Sequence, residues 1–229
     1  MKPIIIAKKI IKTFVNGEVK TPVLCGVDLE VKEGEFLSIM GRSGAGKSTL
    51  MYQLGLLDEP TGGDLEVNGV DVLNLNWSKK TDFRLEYLGY VFQDYALVPE
   101  LTAVENVALP LLMRGISQKE ALKKAEEVLH TLDLNRQVNN FPSQLSGGEQ
   151  QRVSIARAIV DEPKIIFCDE PTANLDSVSA RVVIDILKKL NQEGQTIVMV
   201  THEEEYAKET DRIIRLVDGK IDIEEILKK

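Results

Sequence analysis

Apolar residues along this chain change their spacing several times, and each change marks an element. The first segment is rich in β-branched residues broken by turn signals. Ile4–Phe14 and Val23–Val31 read as strands, with the turn Asn16-Gly17 between them. Glu35–Met40 is a short apolar strand that runs into a glycine-rich loop, and a helix is expected from Lys47 to about Leu56. Gly63–Val67 reads as a further strand closed by the turn Asn68-Gly69. Lys79–Leu88 is expected to be helical, and Tyr90-Val91-Phe92 a short buried strand.

From Thr102 to Asp133 the spacing is helical, with interruptions expected at Pro110 and Gly115. Ala121, Ala125, Val128 and Leu129 fall on one face of the second helix. After Pro142 the pattern changes again. Ser146 is a cap for a helix reaching about Val160. Lys164–Cys168 is a strongly apolar strand, Ser177–Leu190 a helix, and Thr196–Val200 and Arg212–Val217 are strands. Asp218-Gly219 is a hairpin signal.

Strands alternating with helices predict an α/β fold with a parallel sheet, and the strand-only start predicts an antiparallel β layer. The stretch from about 94 to 151 supplies helices without strong strands, which reads as a helical insertion between 1–93 and 152–229. Neither an internal repeat nor a low-complexity segment is evident.

The length of 229 residues suits one domain, or one domain with a subdomain. With 43% hydrophobic and 28% charged residues, the composition excludes disordered, collagen-like and disulfide-scaffold classes. The formal charge of -8 argues against a nucleic-acid partner, because an acidic surface repels phosphate backbones. The run Glu203-Glu204-Glu205 reads as a solvated helix start. Cys25 and Cys168 lie in apolar stretches without metal or redox spacing and read as reduced core thiols. The N-terminal apolar run is too short, and too closely followed by lysines, for a signal peptide. No stretch approaches the ~18 apolar residues of a membrane-spanning helix.

Three motifs carry chemistry. Gly41-Arg42-Ser43-Gly44-Ala45-Gly46-Lys47-Ser48-Thr49 matches GxxxxGK(S/T) between an expected strand and an expected helix. Such a loop wraps phosphates with backbone N–H groups. Lys47 would neutralise the β- and γ-phosphates, and the Ser48 hydroxyl would ligate Mg²⁺. The strand Ile165–Cys168 ends in Asp169-Glu170, placing two carboxylates at the carboxyl edge of a sheet. Asp169 would hold Mg²⁺ and Glu170 would accept a hydrogen bond from the attacking water. An acidic pair that caps a helix would look the same in isolation. Leu145-Ser146-Gly147-Gly148-Glu149-Gln150 opens a helix with a serine and two glycines, as an anion site or an ordinary cap would. One nucleotide does not need two helix N-termini from distant parts of one chain, so a second copy is the economical user of this one.

The order of GRSGAGKST, a lone Gln93 after an apolar strand, LSGGEQ, CDEP, Asn174-Leu175-Asp176 and Thr201-His202 resembles the ATP-binding cassette family over essentially the whole chain. Within it, GEFLSIMGRSGAGKSTLM, GYVFQDYALVPELTAVENVALPL, PSQLSGGEQQRVSIARAIV and DEPTANLDS are similar to the lipoprotein-release and macrolide-export group. Cell-division ATPases and peptide-resistance exporters share much of this text.

The resemblance implies a phosphate-loop NTPase core of RecA-like type and an ATPase that uses ATP and Mg²⁺. It places Phe14 on the adenine, where tyrosine is commoner. It makes Gln93 a sensor of Mg²⁺ and water, sets His202 at the γ-phosphate and sends Asp176 across a dimer interface. Arg42 departs from the usual small residue or proline. The implied assembly is a head-to-tail pair of copies on a separate membrane permease, at the cytoplasmic face of the cell membrane. The apolar segment Tyr95–Leu101 with the Val104–Leu112 helix would border a groove for a permease helix.

Two other classes compete. A cell-division-type ATPase would signal through a membrane partner without transport. Chromosome and DNA-repair ATPases share the signature but carry a long coiled coil between loop and signature, whereas here Lys47 and Ser146 lie 99 positions apart. Translation-factor relatives carry two cassettes. His130 has no partner motif and reads as structural, and Trp77 falls in a polar loop with a packing or surface role.

Overall fold

The computed structural model describes residues 2–227; positions 1 and 229, the outer limits expected for the domain, lie outside that span. In chain order the elements are β1 (Pro3–Asn16), β2 (Val19–Lys32), β3 (Phe36–Gly41), α1 (Lys47–Leu54), β4 (Gly62–Val67), β5 (Val70–Asp71), α2 (Trp77–Tyr87), β6 (Leu88–Val91), α3 (Ala103–Met113), α4 (Gln118–Thr131), α5 (Gly147–Ile159), β7 (Ile165–Asp169), α6 (Ser177–Gln192), β8 (Thr196–Val200), α7 (Glu204–Ala207), β9 (Arg212–Val217) and β10 (Lys220–Ile226). The described residues fall into two compact units: 2–82 with 191–227, and 83–190. The expected helical insertion, 94–151, lies inside the second unit, which also contains β6 and β7.

The first unit holds two sheets. One is antiparallel, ordered β2-β1-β4-β5. In β2 the inward positions Leu24, Val27, Leu29 and Val31 are buried while their neighbours face out. That alternation corrects the reading of Cys25: it sits on the outward face of β2 and is exposed, whereas Cys168 is buried. In the second sheet, β3 lies between β8 and β9, parallel to both, and β10 adds an antiparallel edge through the Asp218-Gly219 turn. Every residue of β8 is buried, and all of β3 but its last, as expected for strands covered on both faces.

One polar network ties this core. Arg212 Nε donates to Glu35 Oε1 at 2.6 Å, Lys32 N–H donates to Glu35 Oε2 at 2.7 Å, and the other Arg212 nitrogens reach Glu224 and the Glu30 carbonyl. The acidic run at 203–205 is not merely solvated. Glu204 accepts two hydrogen bonds from the Arg215 guanidinium, at 2.6 and 3.0 Å.

In the second unit β6 and β7 pair in parallel, and α3, α4 and α5 pack together. Pro110 does not interrupt α3, contrary to expectation: it sits inside a helix that runs on to Met113. A helix-interior proline forfeits one backbone hydrogen bond, but Val107, Ala108 and Leu111 beside it are fully buried, and tertiary packing outweighs that local loss. Gly115, with φ 82°, follows the helix end as expected. Trp77 starts α2 rather than preceding it, and is 79% exposed. No helix among the described residues is long and apolar enough to cross a membrane.

Candidate functional site

The phosphate loop of the first unit is shaped by close backbone approach. Gly41 ends β3 at φ 151°, where a Cβ would stand 2.5 Å from the Leu216 carbonyl oxygen. Gly46 is the left-handed N-cap of α1, at φ 99°, and its carbonyl accepts the first helical bond from Leu50 at 2.8 Å. Between them, a Cβ on Gly44 would meet nothing within 4 Å, so the loop is open on that side. No side chain caps α1, and a helix N-terminus opening from such a loop favours an anion. Lys47 is 8% exposed and its Nζ donates to the Arg42 carbonyl at 3.3 Å, which holds the ammonium over the loop. Arg42 and Ser43 point outward, so the arginine changes the loop's surface, while its carbonyl serves Lys47.

Sheet register brings His202 to the same sheet edge as this loop. Ile39 of β3 pairs with Val200 of β8. Gly41 and His202 each stand two residues further on, so the phosphate loop and His202 leave the carboxyl ends of neighbouring parallel strands at the same level. The Thr201 N–H donates to the Ile39 carbonyl at 3.3 Å and carries the pairing to that edge. Phe14, near the end of β1, is 47% exposed. Lys12 Nζ sits 5.0 Å from its ring centroid and is itself held by Asp58 Oδ1 at 2.7 Å and the Glu59 carbonyl at 2.6 Å. The ammonium steadies the ring, which still presents a broad exposed surface.

The second unit repeats the register device. Val91 of β6 pairs with Cys168 of β7, and Gln93 and Glu170 each follow by two residues. The two side chains therefore leave the carboxyl ends of adjacent strands at one level. Asp169, the last residue of β7, is buried. Glu170 has φ 44°, a left-handed backbone that is costly for a side-chain-bearing residue and that re-aims its carboxylate as the strand ends.

At α5, Ser146 and Glu149 form a reciprocal cap. The Ser146 N–H and hydroxyl each donate to Glu149 Oε2 at 2.8 Å, and the Glu149 N–H donates to Ser146 Oγ at 3.3 Å. Gln137 Nε2 donates to the other carboxylate oxygen at 2.7 Å. These bonds, led by the Ser146 N–H, hold the Glu149 carboxyl below the usual carboxylate range despite its partial burial. The cap uses the amides at both ends of its four-residue box. The amides of Gly147 and Gly148 in between have no intrahelical partner.

Asp176 has a task inside its own chain. Its Oδ1 accepts from the N–H groups of Val178 and Ser179 at 3.0 Å, and its Oδ2 from the Ser179 hydroxyl at 2.7 Å. It thereby caps α6, and the Ser179 bonds lower its carboxyl from the ordinary value.

Several contacts in this region, and Ser179 itself, carry no signal in the sequence. A Cβ on Gly147 would lie 2.9 Å from the Tyr95 hydroxyl, and one on Gly148 would lie 2.8 Å from Ser179 Oγ, so both glycines also answer to packing within the chain. Asn174 Nδ2 donates to the Gln93 carbonyl at 2.9 Å. Only the Ser-x-x-Glu spacing of the cap was available as a local signal. His130 stands at the end of α4, 3.8 Å from Glu126, away from these motifs in sequence.

A phosphate loop in one unit and a strand ending in two carboxylates in the other are each features of nucleotide-hydrolysing proteins, and comparison with known proteins identifies the kind. A family described as ABC transporter matches residues 24–173. The chain belongs to the ABC transporter family. This cassette is 46% identical over 215 residues to an uncharacterized ABC transporter ATP-binding protein of Methanocaldococcus jannaschii, covering 94% of the chain and 96% of that relative. It is 50% identical over 199 residues to the lipoprotein-releasing system ATP-binding protein LolD of Aquifex aeolicus, covering 87% of the chain and 89% of the relative. It is also 46% identical to the macrolide export ATP-binding/permease protein MacB of Brucella melitensis, covering 96% of the chain but only 34% of that longer protein.

A solved dimeric ATP-binding cassette in a post-hydrolysis state, bound to ADP and Pi, superposes with a TM-score of 0.91 at 43% identity, covering 98% of this cassette and 99% of that chain. The fold is thus that of an ABC ATPase, and the chain is an ATP-binding ATPase subunit of that family.

Proposed function

We propose that two copies of this cassette close head to tail on two ATP molecules and drive a separate membrane permease of the lipoprotein-release or macrolide-export kind. The observation that carries the pairing is the start of α5. It is a second helix N-terminus with two glycine amides to offer, in the unit that lacks the phosphate loop. Its natural ligand is the nucleotide of another copy, and a two-fold arrangement makes both sites equivalent. The solved relative being dimeric supports the same reading. Residues 1–93 and 152–229 act as the α/β core with its β layer, and 94–151 as the helical subdomain.

Phe14 stacks on the adenine. Gly41 to Thr49 wrap the phosphates, and Lys47 neutralises them. Ser48, Gln93 and Asp169 offer a hydroxyl, an amide and a carboxylate, a hard-oxygen set that fits Mg²⁺. The ion, when bound, would offset phosphate charge. Glu170 accepts a proton from water for in-line attack, and Gln93, at the same level on the adjacent strand, orients that water. His202 and Lys47 stabilise the transferring phosphoryl group. Ser146, Gly147 and Gly148 hold the γ-phosphate from the other copy, with Asp176 at the interface. Once the γ-phosphate is cleaved, this cross-subunit contact is lost and the pair opens. The apolar segment 95–101 with exposed Leu112 and Met113 offers the permease a contact. Such an assembly sits at the cytoplasmic face of the membrane.

Glu170→Gln tests the reading. Removing a general base lowers turnover by roughly 10²–10⁴-fold. The variant should still bind ATP and should elute as a dimer with ATP but not with ADP. Turnover near that of the parent would remove Glu170 from its role, and a monomer in saturating ATP would overturn the two-copy site.

A further inference from the structure

The segment carrying Gln93 is held from two sides by groups to which the mechanism above gives no task. Arg157, on α5, donates from Nη1 to the Ala96 carbonyl at 2.7 Å and from Nη2 to the Tyr95 carbonyl at 3.0 Å. Those two residues have φ of 48° and 63°, two consecutive left-handed conformations without a glycine. Such backbone persists only where its surroundings over-determine it. The planar guanidinium does so by spanning both carbonyls with one fork, which a lysine ammonium does not reproduce.

On the other side the segment exchanges hydrogen bonds with the turn before Asp176. Asn174 Nδ2 donates to the Gln93 carbonyl at 2.9 Å, and the Tyr95 hydroxyl donates to the Asn174 carbonyl at 3.4 Å. The same hydroxyl lies 2.9 Å from where a Cβ on Gly147 would be. The Tyr95 hydroxyl thus stands between the start of α5 and the Asn174 carbonyl, while Arg157 reaches back from the far end of α5 to the segment's backbone.

We propose that Tyr95 and Arg157 are positioning residues that make Gln93, the Ser146 end of α5 and the Asp176 turn a single moving body. This rests on the two-copy reading. In that arrangement Gln93 serves the chain's own nucleotide, whereas Ser146 and Asp176 meet the partner's. A body that joins them sets both sites at once, so the paired sites fire cooperatively. The two residues touch no reacting atom; they act through Gln93 and through Gly147.

The test is an ATP titration of steady-state hydrolysis by the full chain, its Arg157→Lys and Tyr95→Phe variants, and the Glu170→Gln dimer control. The parent should give a Hill coefficient approaching the number of sites, two. Arg157→Lys should keep its half-saturating ATP concentration within about twofold but drop to a Hill coefficient near one. Its kcat should fall, by up to roughly 10²-fold, the cost of a catalytic group displaced by about 1 Å. Tyr95→Phe, which deletes one oxygen, should move both readouts the same way and decides the matter if Arg157→Lys does not fold. A folded Arg157→Lys with lower kcat and an unchanged Hill coefficient would mean a merely structural role and overturn the inference. If Glu170→Gln forms its ATP dimer while both variants stay cooperative, this inference alone fails. If that dimer never forms, the two-copy reading fails first.

Discussion

Ser179 stands directly against the α-carbon of Gly148. A methyl group there would meet its Oγ at 2.8 Å and its Cβ at 2.9 Å. Ser179 has little room to retreat, because its N–H and its hydroxyl are both engaged by Asp176, at 3.0 and 2.7 Å. The second glycine of the signature and the turn that caps α6 are therefore one packed unit.

Gly148→Ala should consequently destabilise the chain, although alanine is the better helix former by roughly 0.5–1 kcal/mol. Overpacking of this kind costs about 1–3 kcal/mol. Urea unfolding would show it, and Gly148→Ala combined with Ser179→Gly should recover part of the loss, because contacting residues couple. A stabilised Gly148→Ala would mean that the two residues do not meet.

That relationship also shows where reading the sequence stopped. The phosphate loop, β8 and β9 were legible because each is set locally, by glycine and lysine spacing or by a short run rich in β-branched residues. The reciprocal cap of Ser146 and Glu149 was equally local. What Gly147 and Gly148 pack against was not, since Tyr95 and Ser179 come from other elements. The bond from Asn174 to Gln93 joins residues 81 positions apart, beyond any periodicity. Pro110 was misread because burial of its neighbours overrides its own preference. Cys25 was misread because an apolar stretch does not reveal which of its alternating positions face in. The order of motifs gave the candidate site, and strand register gave what order cannot, the common level of Gly41 with His202 and of Gln93 with Glu170.

Phe14→Ala should weaken ATP binding. Base–aromatic stacking is worth about 1–3 kcal/mol, so the dissociation constant should rise roughly 5- to 150-fold. Phe14→Tyr keeps the face of the ring and should stay close to the parent. Competition against a fluorescent nucleotide measures both. Equal affinity of all three would take Phe14 out of the base site, leaving it as the ring beneath Lys12.

The Arg212–Glu35 pair should be costly to break from one side. Both side chains are nearly buried, at 12% and 8% exposure. Removing one partner of a buried pair typically costs about 3–5 kcal/mol, because the other charge is left uncompensated. Glu35→Leu should fall toward the lower end, since Arg212 keeps Glu224 and the Glu30 carbonyl. Glu35→Leu with Arg212→Met should be more stable than Glu35→Leu alone. Chemical unfolding of the three chains decides it, and a single variant as stable as the parent would contradict the buried pairing.

Glu149 should lend the chain a measurable pH dependence of stability. Its carboxyl is held below the ordinary value, chiefly by the Ser146 N–H. A depressed carboxylate contributes stability that is fully present above the unfolded value, near about 4.3, and is lost as the pH falls through the lower folded value. Glu149→Gln keeps an acceptor for the Ser146 N–H, so the cap survives and only the charge is removed. Asp58, Glu105, Asp176 and Glu204 are also held below their ordinary values, so the informative quantity is the difference between parent and variant. The parent should be the more stable by a constant margin above about pH 5, and that margin should shrink as the pH drops below about 4. The margin should be small, because a partly exposed carboxylate is screened by solvent. Urea midpoints measured across this range provide the check, and a margin that widens on acidification would reverse the sign of the linkage and contradict the hydrogen bonding assigned to Glu149.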